Sequence, residues 1–280
     1  MTNVAAARAT TRRRVGRERL PGPALALAGI GIAFFALPFV GLVRKVPWSA
    51  AGSIVRAPGS RAALRLSIEC SLWAAALSLL FGVPVAWLLA RVSFTGRRLV
   101  RALCTLSMVL PPVVAGVALF SSLGRRGLVG QYLDRWFGIT LPFTTAGVVV
   151  AQTFVAMPFL VLTVEAAFRQ QDVRFEEAAR TLGASRWYVF RRVTLPAIRP
   201  GLAAGAVLAW ARALGEFGAT ITFAGNFPGR TQTMPLAIYL ANETNPDEAL
   251  VLSLVLIAVS FAVLIALRER YLAGGTAPTA

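Results

Sequence analysis

Histidine is absent from the 280 residues, and lysine occurs once, at Lys45. Without imidazole, the chain lacks the commonest general base and the commonest metal ligand. A phosphate-binding P-loop needs Gly before its Lys and Ser or Thr after it. Lys45 stands between Arg44 and Val46, so the chain carries no such loop. If ATP drives its work, another polypeptide hydrolyses it. Cysteine is scarce as well: Cys70 and Cys104 both fall inside apolar runs. That placement suits small buried hydrophobes and supports neither a disulfide framework nor a zinc site. Charged residues make up only 15% of the chain.

Hydrocarbon fills the space. Hydrophobic residues account for 56%, and mean hydropathy is +0.66. A soluble domain of this length needs more polar surface, so the composition indicates an integral membrane protein. The net charge of +17 would suit nucleic acid if it formed one basic face. The arginines instead sit between apolar runs, as in the loops of a membrane protein, which argues against a nucleic-acid partner and for contact with lipid.

About 20 apolar residues cross a bilayer as a helix. Six stretches qualify: 24–43, 64–90, 99–120, 146–168, 201–224 and 249–267. The predicted architecture is an all-α membrane protein of about six spans. It comprises a basic tail over 1–23, a transmembrane domain over 24–268 and a short tail over 269–280. The first run follows the basic stretch "TTRRRVGRERL", yet no small-x-small cleavage site closes it, so it reads as an uncleaved span. Most arginines fall before span one, between spans two and three, and between spans four and five. That asymmetry places both termini in the cytoplasm.

Proline interrupts several spans, at Pro38, Pro84, Pro111, Pro112 and Pro158. Membrane helices tolerate such breaks where neighbours or water satisfy the freed backbone groups. At Pro111 and Pro112 ordinary kinking and a broken helix lining a pathway remain equal readings. The spacing Gly201, Gly205, Ala209 suits close helix packing.

One segment departs from the pattern. "EEAARTLGASRWYVFRRVTLP", residues 176–196, is densely charged between two oily spans. Asp172 can cap a helix on which Phe175, Ala178, Ala179 and Leu182 recur at helical spacing. Gly183 breaks that helix. Ser185 can cap a second helix carrying Trp187, Tyr188 and Phe190, predicted to stop by Pro196. Two short helices joined by a glycine elbow suit insertion into another protein's groove. On physical grounds alone, an amphipathic loop lying on lipid headgroups is an equal alternative.

The spacing Glu177-Ala178-Ala179, Gly183, Val193, Leu195-Pro196 resembles the EAA loop of importer-type ABC permeases, with Val193 where that family usually has Ile. The resemblance implies that Glu177, Ala178, Ala179, Gly183, Ala184, Leu195 and Pro196 form a coupling helix docked on an ATPase subunit. "VLPPVVAGVALF", "ARTLGASRW" and "ALGEFGATITFAGNFPGRTQTMPLAIY" are similar to the molybdate permeases of the sulfate/molybdate/tungstate branch. Sulfate, thiosulfate or tungstate is the alternative substrate. What the resemblance implies further is a homodimer, two ATPase subunits that use ATP and Mg, and an extracytoplasmic molybdate-binding protein, in a bacterial cytoplasmic (inner) membrane. No cofactor is expected in this chain.

Arg212 and Glu216 lie one turn apart within span five. A charge at mid-membrane costs about 2.5–3.5 kcal/mol on insertion scales, so each requires a partner or water. Mutual satisfaction that fixes packing is the favoured reading; a weak electrostatic step for a divalent oxyanion is the other. Thr220 and Thr222 offer hydroxyls to such a path, and Pro111 and Pro112 its walls. A stand-alone membrane enzyme or proton-coupled carrier is disfavoured, because Glu69, Glu165 and Glu216 lie in separate segments.

Overall fold

A computed structural model describes residues 22–272. The described residues divide into two units, one ending at Lys45 and the other beginning at Val46. In the first, α1 (Gly22–Lys45) buries no residue within its own unit and ends on Arg44 and Lys45, cations that complement a helix C-terminus. A helix apolar on every side suits a membrane span. The rest of the basic tail lies outside the described residues, as does the C-terminal tail from 273 onward.

The second unit contains α2 (Trp48–Arg56), α3 (Pro58–Arg91), α4 (Arg97–Val109), α5 (Pro112–Leu123), α6 (Gly130–Phe137) and α7 (Thr145–Gln170). There follow α8 (Arg174–Thr181), α9 (Arg186–Val189), a π-helical turn (Phe190–Thr194), α10 (Leu195–Leu214), α11 (Gly218–Ala224), α12 (Met234–Thr244) and α13 (Pro246–Leu272). No strand occurs among the described residues.

Helix α7 is the axis of this unit, packed by α3, α4, α10 and α11. Lipid tails are as apolar as leucine, so close backbone approach rather than water exclusion holds such helices together. The α3 face turned inward is accordingly built of small residues, among them Ser67, Cys70, Ala74, Ser78, Gly82 and Ala86. Against it and α10 lie Ala156, Leu160, Val164 and Phe168 of α7. Helix α10 descends antiparallel along α7, with Ile198 in the cluster that holds Phe168 and Gly205 beside Leu160 and Val164. At Gly201 the approach is close: a Cβ there would overlap the Ala167 Cβ, so only hydrogen fits.

Five described helices are long and apolar enough to cross a membrane: Gly22–Lys45, Pro58–Arg91, Thr145–Gln170, Arg186–Leu214 and Pro246–Ile265. The predicted span 99–120 is not one of them. It divides into α4 and α5, because Pro111 and Pro112 drive the preceding backbone out of the helical region: Leu110 takes ψ 130° and Pro111 ψ 133°. Pro112 then serves as the first residue of α5, a position with no need of an N–H. The helix therefore parts at these prolines and does not merely kink.

The predicted span 201–224 also divides, ending at Leu214 and resuming at Gly218. The cause is a side chain: the Glu216 carboxylate accepts a hydrogen bond from the Ala219 N–H at 2.8 Å, starting a new helix in place of continuing the old one. A third correction concerns Pro196. Helix α9 does not stop before it; the helical path runs unbroken from Arg186 to Leu214. The π-helical turn makes this possible. There the Leu195 N–H donates to the Phe190 carbonyl, five residues back, which widens the helix just ahead of the proline ring.

Candidate functional site

The charged segment folds as the elbow its spacing predicts. The Asp172 carboxylate accepts from the Arg174 N–H at 3.0 Å as α8 begins, and Glu176 and Glu177 occupy the first turn. The helix closes with the Leu182 N–H donating to the Ala178 carbonyl and the Ala184 N–H to the Ala179 carbonyl. Between them Gly183 takes φ +85°, a left-handed conformation in which a Cβ is strained. The Ser185 hydroxyl then accepts from the Tyr188 N–H at 3.2 Å and caps α9.

Apolar side chains crown this elbow. Phe175 is 68% exposed and Leu182 88%, unusual values for groups of that size. Ala179, Leu182, Gly183, Ala184 and Tyr188 line one shallow groove on its outer face. Thus Glu177, Ala178, Ala179, Gly183 and Ala184 come together at the elbow, whereas Leu195 and Pro196 lie below it, at the root where α10 begins.

No motif or spacing signals how the elbow is anchored. Glu176 is buried, and its Oε1 lies 3.3 Å from Arg91 Nη2 and accepts from the Thr194 hydroxyl at 3.0 Å. Arg91 ends α3 and also donates to Gln171 Oε1 at 3.1 Å. One carboxylate therefore joins α8, the end of α3 and the π-helical turn. Close by in the chain, Glu165 is gripped by Arg169 at 2.8 Å and by Arg101 of α4. It is a structural clasp between α4 and α7, far in sequence from Glu69 and Glu216, and the described contacts gather no carboxylate relay.

The second locus is the pair of broken spans, which meet. A Cβ on Gly218 would stand 2.7 Å from the Pro112 Cβ, and α5 packs along α11. The Arg212 Nη1 lies 2.6 Å from Glu216 Oε2, and the Glu216 side chain is 1% exposed. Its other oxygen holds the start of α11, so both lobes of the carboxylate are engaged. Thr222 donates to the Gly218 carbonyl within its own helix. Thr220 is fully buried, and its hydroxyl has no hydrogen-bond partner among the described residues. Gln152 of α7 shares that condition through both its amide atoms, and the antiparallel register of α7 and α10 sets it near the level of the break. Pro111 and Pro112 remain exposed at the α4–α5 junction.

This arrangement yields a test. Glu216→Ala removes both the partner of a largely buried guanidinium and the acceptor for the Ala219 N–H, costing about 2–3 kcal/mol. Glu216→Gln keeps an acceptor and loses only the charge, so its loss is smaller. Thermal unfolding of the purified chain is expected to rank wild type above Gln above Ala, with Ala lower by about 5 °C or more. Equal melting of the two variants would contradict the capping role.

An elbow on a bundle of membrane-crossing helices, with two broken spans back to back, defines a membrane transport component. The chain belongs to the family described as "Binding-protein-dependent transport system inner membrane component", which matches residues 82–275. It is therefore a multi-pass inner-membrane transport protein and not an enzyme. Among its relatives is "Molybdenum transport system permease protein ModB" of Mycobacterium tuberculosis, 46% identical over 240 residues, covering 86% of this chain and 90% of the relative. The Escherichia coli protein of that description is 46% identical over 211 residues, covering 75% and 92%. The E. coli "Sulfate transport system permease protein CysT" is 37% identical over 231 residues, covering 80% and 83%. A solved bacterial ABC transporter involved in alginate import shares the fold, with a TM-score of 0.71 at 20% identity over 91% of this chain and 96% of that one.

Proposed function

We propose that this chain is the permease subunit of an ATP-driven importer for molybdate, working as a homodimer with two separate ATPase subunits and an extracytoplasmic molybdate-binding protein. The observation that carries the reading is the anchored elbow at 172–196. Its crown of exposed apolar side chains suits a groove on a soluble partner, and its root is fixed to α3 and the helical path into α10. Motion imposed on the elbow therefore reaches the span that breaks at Glu216. The chain lacks a P-loop, so ATP and Mg belong to the partner. The elbow faces the cytoplasm in this reading, as the arginine asymmetry predicts, and both termini lie on that side.

In the cycle so read, closure of the ATPase pair moves the elbows, the pathway between two permeases opens outward to receive the oxyanion, and hydrolysis resets it. Arg212, Glu216, Thr220, Thr222, Pro111 and Pro112 stand at or beside the paired breaks. Glu216 holds Arg212 closely, which supports a packing role for the pair ahead of direct contact with the anion. A proton-coupled carrier is set aside, because the family depends on a binding protein.

Molybdate is favoured over sulfate by the higher identity to the molybdenum relatives than to the sulfate one. Vesicles holding the assembled transporter and its binding protein test this. Labelled molybdate uptake is expected to fall with unlabelled molybdate or tungstate and to persist in excess sulfate. Preferential transport of sulfate or thiosulfate would reassign the substrate, and uptake without any ATPase would end the proposal.

A further inference from the structure

A crevice of about 740 Å³ opens between α8–α9 and the ends of α3 and α7, and it shares no lining residue with the elbow's outer groove. Its inner wall is apolar, formed by Val83, Pro84 and Phe168. Two indoles, Trp87 of α3 and Trp187 of α9, line it, and Trp187 stacks on Phe190 with ring centroids 5.8 Å apart. Two guanidiniums, Arg180 and Arg186, share the crevice with one carboxylate, Glu176.

That carboxylate is already engaged. Arg91 and Thr194 hold Glu176 Oε1, and Arg180 approaches Oε2 only at 3.8 Å. Arg186 forms no ion pair among the described residues. The crevice thus carries surplus positive charge over an apolar wall, and it lies where two membrane-crossing helices end. A small hydrated anion would use the arginines and leave the hydrocarbon wall unfilled. A molecule with an anionic head and an aliphatic tail fills both, and at this depth indoles flank the headgroups.

We propose that the crevice is a binding site for an anionic glycerophospholipid. Arg180 and Arg186 meet its phosphate, and its acyl chain runs along Val83, Pro84 and Phe168. The elbow's two faces then divide their work. The outer groove by Ala184 and Tyr188 is left for a protein partner, while the inner face grips a lipid that ties the orientation of the elbow to the membrane. The proposal does not depend on the transported ion.

Quenching of tryptophan fluorescence by brominated lipid tests it on the full chain reconstituted in phosphatidylcholine. Brominated phosphatidylglycerol is expected to quench at a lower mole fraction than brominated phosphatidylcholine, with each arginine contributing about fivefold. In R180Q/R186Q the two lipids should become equivalent. R191Q/R192Q removes the same charge from exposed neighbours that do not line the crevice, and should keep the preference. Should R180Q/R186Q fail to insert, the double variant Trp87→Phe/Trp187→Phe decides, because it must remove the phosphatidylglycerol-selective part of the signal. Equal quenching by both lipids in the native chain overturns the proposal, as does an equal loss in R191Q/R192Q. Displacement by inorganic phosphate would overturn it too, making the crevice a small-anion site.

Discussion

Gly183→Asp is expected to lower molybdate uptake by at least about a hundredfold while leaving the protein in the membrane at normal abundance. Two magnitudes separate these outcomes. Within the chain, the left-handed backbone at Gly183 penalises a side chain by about 1–2 kcal/mol, and aspartate is among the residues that tolerate it. A Cβ there meets nothing within 4 Å, so no packing is lost. At the docking surface the balance is different. The new carboxylate sits on the elbow beside Leu182 and Tyr188, and enclosing it unpaired in a partner's groove costs several kcal/mol. About 2.8 kcal/mol is a hundredfold in occupancy. Gly183→Ala separates strain from charge: it carries at least that backbone penalty without the carboxylate, and uptake should stay within about tenfold of wild type. Uptake in vesicles, immunodetection of the membrane fraction and co-purification of the ATPase check all three points. Near-normal uptake in the Asp variant would remove the elbow from the coupling path.

The elbow was legible because its determinants are local. A cap at Ser185, a left-handed turn at Gly183 and a helix start at Asp172 each depend on residues within four positions. The break at Leu110–Pro111 was half legible: tandem prolines announce an interruption, but packing decides whether the helix kinks or parts, and here Gly218, with no Cβ, makes room for Pro112. The break at Gly215–Phe217 was not legible. Hydropathy runs straight through it, and its cause is a carboxylate that turns on its own chain to hold the Ala219 N–H. The unbroken path through Pro196 is hidden for a related reason, since the proline rule assumes α geometry and a π-helical turn relaxes it. The anchor was beyond reach of any spacing argument. Glu176 and Arg91 are 85 residues apart, and their pairing exists only once α3 and α7 lie side by side. The motif drew attention to Glu177, which is exposed, whereas its neighbour Glu176 holds the structure together.

That anchor carries the second large effect. Glu176→Ala leaves Arg91, 17% exposed, without its carboxylate and strips the Thr194 hydroxyl of its acceptor. Removing one member of a buried charged pair costs about 3–5 kcal/mol, and solvent access here lowers that to about 2–3. The loss falls on the joint and not on the bundle, because the packing of α3, α7 and α10 rests on separate apolar and small-residue contacts. Local opening of residues 172–196 should therefore rise by about thirtyfold or more. Amide exchange should show this there and not in α7. With ATPase bound, a loosened elbow moves without pulling α10, so ATP hydrolysis should continue while ATP consumed per molybdate imported rises severalfold. Arg91→Ala should produce the same pair of changes. The double variant should add little to either single one, because both remove one interaction. Loss of ATPase binding in Glu176→Ala, with exchange at 172–196 unchanged, would show instead that Glu176 acts at the docking surface and that the joint is held by other contacts.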